Sequence, residues 1–171
     1  MIEPHLHRFL VEHLQAVEIP HSGRSLFDHL KGTHDLLAQW GNPPAICHAG
    51  LMHSLYGTWH FRTQAFPIAR REAIQALIGK EAEFLAYVFC VTERPKQFIA
   101  LIHEPDVRIF DHHAGTELAL SRETLNALLE IEAANLLEQG GRIAVLLRPL
   151  TEADVSAGAQ LAMRDWLAGH E

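Results

Sequence analysis

The stretch that most constrains the fold is Ser121–Gln139, SRETLNALLEIEAANLLEQ. Leu125, Leu128, Leu129 and Leu136 fall on one stripe at the period of an α-helix, which predicts a helix buried along that stripe. Glu132 lies in the middle of the stripe and Asn135 on its edge. Taking an unpaired carboxylate out of water is costly, so a fold that buries this helix must neutralise Glu132, hydrogen-bond it or give it a metal. From the residues alone, an ion pair with Arg24, Arg62, Arg70 or Arg71 and a metal site are both open.

The rest of the chain is punctuated into short helices. Residues 4–18 read as a first helix and "IPHSGR" as a loop. Ser25 can cap a helix running to Gln39, with Asp28 as an acid in its first turn and Gly41 past its end. "GNPP" breaks the chain, and its prolines can open a helix from Pro44 to Leu55 that "YGT" stops. Further helices are expected from Pro67 to Leu77, from Ala82 to Thr92 and from Lys96 to His103. The period then changes: "DVRIFDHHAGTELALS" reads as two alternating runs around Ala114–Gly115, a β-hairpin near residues 106–120. "GG" ends the Ser121 helix. "RIAVLLRPL" is strand or helix by periodicity, and Thr151 with Asp154 resembles a capping box for a last segment ending near Trp166. The expected fold class is mainly α, one domain over residues 1–171 with its core at about 20–140 and residues 141–171 packed on it.

Composition narrows the function classes. The net charge is −7 without a basic cluster, which argues against nucleic acid as partner, because phosphate contacts need clustered Lys and Arg. No apolar run approaches the length of a membrane span. The opening residues lack the basic-then-apolar pattern of a secretory signal, and the two cysteines, Cys47 and Cys90, form no Cys-x-x-Cys pair. Neither a disulfide framework nor a zinc ribbon is indicated, so a reducing cytoplasm is expected. The unusual count is 13 histidines, residues suited to metal ligation and to acid–base work near neutral pH.

Two histidines fall on apolar helix faces. His29 shares a face with Thr33, Leu36 and Trp40, whereas His34 points elsewhere and is expected at the surface. His53 lines up with Ile46, Ala49 and Gly50, small residues that let another helix come close. "HHAG" at 112–115 reads as a solvated turn. His29, His53 and Glu132 thus form three inward-facing ligand types on three predicted helices, compatible with a metal site or with a buried hydrogen-bonded network.

The stretch "SGRSLFDHLKGTHDLLAQWGNPPAICHAGLMHS" resembles the start of an HD domain, most closely the hydrolase domain of the (p)ppGpp synthetase/hydrolase family. Ser22-Gly23 precede His29 by seven residues, Gly41 follows it by twelve, and His53 follows by twenty-four at the end of "AGLMH". "LIGKEAEFLAYVFCVTERP" looks like that family's segment after its second histidine, and the likeness covers roughly residues 20–95. "HSLYGT" also resembles a small HD-like branch of unassigned function. Three positions depart from the pattern. Ser54 stands where the family has its metal-binding Asp, and Gly57 and Thr58 stand where the hydrolases have a catalytic Glu-Asp pair.

The resemblance implies a divalent metal (Fe, Mn or Zn) on His29 and His53, with Glu132 as the counterpart of the family's late-helix carboxylate. Such a set suits water activation against a small anionic, phosphoester-type substrate. His60 or His112 would move a proton, Arg24, Arg62 or Arg70 would hold the anion, and Thr58 with Tyr56 would shape the entrance. Two alternatives stay open: a non-haem iron oxygenase of the HD type, and a degenerate HD-like protein that binds a ligand or is purely structural. A homodimer through the acidic edge of the Ser121 helix or through Trp166 is compatible with the sequence.

Overall fold

Ser25 turns the chain into its first long helix. Its hydroxyl accepts a hydrogen bond from the Asp28 amide at 3.1 Å, satisfying one of the donors that a helix start leaves open. The helix it caps is α2 (Leu26–Gln39). Before it come α1 (Pro4–Leu14) and a two-residue ladder in which β1 (Pro20–His21) pairs antiparallel with β2 (Arg24–Ser25). The computed structural model describes residues 2–14, 20–21, 24–59 and 62–170, without the side chains of Pro20, His21 and Arg24. The expected extension of the first helix to residue 18 lies outside the described residues, and part of the expected "IPHSGR" loop is the β1–β2 ladder.

Pro44 occupies the first turn of α3 (Pro44–Met52), where its missing amide leaves no helical bond unmade. This helix is shorter than expected. His53 is its C-cap, and the chain tightens there, with the Leu55 amide on the Met52 carbonyl and the Gly57 amide on the Ser54 carbonyl, both at 3.0 Å. A 3₁₀ turn (Ile68–Arg70) leads into α4 (Arg71–Ile78), followed by α5 (Lys80–Val91) and the short α6 (Lys96–Ala100). β3 (Arg108–Asp111) and β4 (Thr116–Ala119) form the expected hairpin, in register from Arg108 opposite Ala119 to Asp111 opposite Thr116. α7 (Arg122–Gln139) is capped by Ser121, whose hydroxyl accepts from the Thr124 amide at 3.1 Å.

"RIAVLLRPL" resolves as a helix, α8 (Ala144–Leu150), with Pro149 in its last turn. Thr151 does not start the final helix. Its hydroxyl donates back to the Arg148 carbonyl at 2.7 Å, and Ser156 instead caps α9 (Ala157–Ala168), accepting from the Ala159 amide at 3.1 Å. Local hydroxyl chemistry allowed either cap; the backward bond to the end of α8 decided it. The fold is mainly helical with a small antiparallel hairpin, as expected. No helix among the described residues is long and apolar enough to cross a membrane.

The core forms where α2 lies against α3 and α7, and α3 lies against α5. Leu30, Leu37, Leu51, Phe89, Leu125 and Leu128 are fully buried there; each such side chain contributes about 1.5–3 kcal/mol relative to exposure. Gly50 permits the α2–α3 contact, as its position among small residues suggested: a Cβ on it would stand 2.3 Å from Leu37 Cδ1. α7 is the central element and buries two carboxylates along its middle, Glu130 and Glu132. Glu130 is a strut, accepting from Asn42 Nδ2 and from the Ser156 amide, both at 2.8 Å. It ties the α2–α3 turn to the start of α9.

Candidate functional site

His29 and His53 meet in the interior. His29 is 3 % exposed and His53 fully buried, and their Nε2 atoms stand 3.1 Å apart. The other nitrogen of each ring is spoken for. His53 Nδ1 lies 2.6 Å from the Gly50 carbonyl, which can only accept, so this nitrogen carries the proton. His29 Nδ1 contacts the carboxylate of Glu138, also an acceptor. With both Nδ1 atoms facing acceptors, the two Nε2 atoms face each other across 3.1 Å. A shared proton or a bound cation is compatible with that arrangement.

The geometry fits a metal. Two imidazole nitrogens at about 2.0–2.1 Å from a tetrahedral zinc lie roughly 3.3 Å apart, close to the separation seen. A carboxylate or carbonyl holding the distal N–H is the usual support of a metal-bound histidine, and Glu138 and Gly50 supply one of each. Gly32 makes the first support possible. A Cβ there would meet Glu138 Cγ at 2.6 Å, so the bare backbone lets the carboxylate reach His29. Glu138 was missed by the sequence reading, although a glycine one turn beyond a buried histidine, inside a helix where it costs about 1 kcal/mol, is a signal of close approach.

Glu132 is fully buried, as its place in the leucine stripe predicted. Its partner among the described residues is none of Arg62, Arg70 and Arg71, and the side chain of Arg24 lies outside them. Arg94 Nη1 lies 3.3 and 3.2 Å from its two oxygens, and Asn135 Nδ2 donates at 3.4 Å while its own amide oxygen accepts from Gln139 at 2.9 Å. Arg71 instead serves Glu83, while Arg62 lies over Trp59 and Arg70 over Phe66. Arg94 escaped notice because "TERPK" looks like an exposed break. Its guanidinium covers the Phe89 ring at 4.2 Å. Its Nε–H is buried without an acceptor among the described residues, a deficit that costs about 1–3 kcal/mol when left unmade.

These groups share a cavity of about 230 Å³ lined by His29, Ser54, Thr58, Arg94, Glu132 and Asn135, with Leu146 of α8 at its edge. The structure thus brings His29 and His53 together and puts Glu132 in the wall of the cavity that His29 lines, with its carboxylate on Arg94. Among the described residues no group of three His, Cys, Asp or Glu side chains is arranged to hold a metal.

Thr58 also lines a second cavity of about 290 Å³, with Tyr56, Trp59, Arg62, Cys90 and His112. Tyr56 is fixed by Glu83, which accepts from its hydroxyl at 2.9 Å, from Arg71 Nε at 2.6 Å and Nη2 at 2.9 Å, and from Gln75 at 3.0 Å. Burial would raise the Glu83 carboxyl, but the Arg71, Gln75 and Tyr56 hydrogen bonds hold it below the usual range. Burial and the Glu83 anion push the Tyr56 hydroxyl up, so it stays a neutral donor. The Cys90 thiol, pushed up to about 12 by burial, donates to the His53 carbonyl at 3.2 Å. It is an unreactive strut rather than a nucleophile.

Of the other residues singled out in the sequence, His60 and the side chain of Arg24 lie outside the described residues. His112 is exposed in the hairpin turn, as expected, with its ring 4.4 Å from that of Trp59. His34 corrects an expectation: it is 4 % exposed, because α1, α3 and α7 all pack on α2 and leave it little open surface.

No curated protein and no solved structure matches the chain. A family model described as "Domain of unknown function (DUF6817)" matches residues 9–94. That span carries His29, His53, the HSLYGT turn and, as its last residue, Arg94, while Glu132 and Glu138 lie beyond it. With half of the chain matched, the protein belongs to the DUF6817 family.

Proposed function

We propose that the protein is a metal-dependent hydrolase of the HD type that acts on a small anionic, phosphoester-type substrate. The observation that carries this reading is the pair of Nε2 atoms 3.1 Å apart with both Nδ1 atoms facing acceptors. His29 and His53 would hold the cation, with Glu132 the carboxylate available in the cavity that His29 lines. A divalent metal there supplies an acidified water, its pKa lowered to about 7. The chain's own contribution is positional. Glu138 and Gly50 fix the two rings, Arg94 and Asn135 hold Glu132 in orientation, and the Phe89 ring packs edge-on against His53. Thr58, common to both cavities, stands where a substrate would pass between them.

The engagement of Glu132 by Arg94 favours a second reading, in which the histidines share a proton and the cavity binds a ligand without chemistry. Metal content separates the two. Tag-free protein, as purified and after incubation with Zn(II), Mn(II) or Fe(II), is analysed by plasma mass spectrometry beside His29→Ala and His53→Ala. Near-stoichiometric metal that is lost in both variants is the expected result. Bound zinc or manganese supports hydrolysis, and bound iron with O₂-dependent turnover would replace it with oxygen chemistry. A wild type that holds no metal under any of these conditions overturns the metal reading.

A further inference from the structure

The second cavity, the one lined by Trp59 and Arg62, has a charge pattern of its own. No Asp or Glu occurs from Leu36 to Arg71, although the chain carries 21 acids and a net charge of −7. The turn after α3 and the segment that follows it belong to that run, and they supply most of the wall. The end of α5 and the hairpin turn supply the rest, with Val91 and His113. None of the described lining residues is a carboxylate.

Donors gather on this cavity without partners. The half-buried Trp59 ring is backed by His112 at 4.4 Å, and the Arg62 guanidinium carbon stands 5.1 Å from its centroid. Among the described residues no hydrogen bond or ion pair engages the Arg62 guanidinium, the Gln64 amide or the His113 ring. The carboxylates behind the wall are turned inward. Glu83 is fully buried on Tyr56, Arg71 and Gln75. Asp111 accepts from the Tyr87 hydroxyl at 2.5 Å and from the His113 and Ala114 amides at 2.9 and 2.8 Å. Arg71 offsets the Glu83 charge, so Arg62 is the fixed cation in the described wall and Asp111 the carboxylate behind it. A guanidinium is a planar fork whose donor edges match the paired oxygens of an oxyanion. The volume of about 290 Å³ is that of roughly nine or ten waters at about 30 Å³ each, more than a bare inorganic anion fills, and Trp59, Ile68 and Val91 give it an apolar side.

We propose that this cavity is a binding site for a small organic acid, a carboxylate or a phosphate ester, whose oxygens take the Arg62 fork and the Gln64 amide while its apolar body lies against Trp59, Ile68 and Val91. The site needs no metal, so it stands whether or not the hydrolase reading does. Thr58 lines both cavities, so the acid site adjoins the cavity that His29 lines. Arg62 holds an anion here, in a cavity of its own, whereas the sequence had offered it that role at the metal.

The test is a heteronuclear NMR titration of the full chain with benzoate, phenyl phosphate and the neutral benzamide. It is read on the indole N–H signals of Trp40, Trp59 and Trp166, with Trp59→Phe to identify the Trp59 signal. Benzoate or phenyl phosphate is expected to shift the Trp59 signal saturably, to leave those of Trp40 and Trp166 in place, and to bind more tightly than benzamide. The tighter of the two acids names the anionic group. Arg62 is exposed, so Arg62→Gln is expected to keep the fold, checked by circular dichroism and by unmoved Trp40 and Trp166 signals. It should bind the acid about three- to tenfold more weakly, the worth of a charge-assisted hydrogen bond at a half-open site. Arg62→Lys keeps the charge but loses the fork, and it carries the same expectation should the glutamine variant fail to fold. A Trp59 signal that neither acid shifts overturns the site. Benzamide binding as tightly as the better acid overturns the anion class, and unchanged acid affinity in the folded Arg62 variants overturns the role given to Arg62.

Discussion

Replacing Gly32 by alanine sets two opposed effects against each other at the base of the histidine site. Gly32 is interior to α2, one turn beyond His29. Alanine there gains about 1 kcal/mol of helix propensity. Its Cβ, however, would stand 2.6 Å from Glu138 Cγ and 2.9 Å from Oε1, so the Glu138 side chain must move off His29. The side chains of the pair are only 4 % and 8 % exposed, and a charge-assisted hydrogen bond in so dry a place is worth about 1.5–3 kcal/mol. The second effect wins, and Gly32→Ala is expected to destabilise the protein by about 0.5–2 kcal/mol. For a chain of 171 residues that is a fall in Tm of roughly 1–8 °C. The same displacement frees the His29 ring, and metal affinity measured by chelator competition is expected to fall about 10–100-fold. Glu138→Gln should reproduce the affinity loss, and the double variant should lose little more than either single one. A Gly32→Ala protein that melts above the wild type with unchanged metal affinity would refute the argument, since Glu138 would then not be what holds His29.

Gly50→Ala places a Cβ 2.3 Å from Leu37 Cδ1 and 3.5 Å from Thr33 Cγ2; overpacking of about 1–3 kcal/mol should exceed the helix gain, lowering the urea midpoint without changing the slope. Glu83 has a folded pKa below its usual 4.5, so the stability it contributes is full above that value and is lost as pH falls through and below it. Glu83→Gln should flatten that acid limb of a pH–stability curve, and an acid limb as steep as in the wild type would show that the Arg71–Glu83 cluster does not drive it.

The positions of the helices and of the 106–120 hairpin were legible because their signals are local. Ser25 caps the helix it was expected to cap, Ser121 caps the helix that the leucine stripe marks, the prolines at 43–44 open α3, and the stripe of α7 faces inward with Glu132 in it. A helix cap or a hydrophobic stripe is written in residues three or four apart, and no other part of the chain needs to be known to read it. Thr151 was expected to cap the last helix, but Ser156 caps it instead. His34 was misjudged for a different reason. Its burial depends on how many helices surround α2, and a single helical wheel cannot show that.

The sequence by itself determined that His29, His53 and Glu132 would be buried, because each lies on an apolar face of its own helix. Tertiary structure alone decided whom they would meet. His29 lies 109 residues from Glu138, and Arg94 lies 38 from Glu132. Those pairings come from the close approach of α2 to α7 and from the turn after α5, which bring distant charges together in the interior. A carboxylate leaving water needs a cationic or donor partner, and that requirement is visible in the chain; which of its arginines satisfies it is a property of the packing.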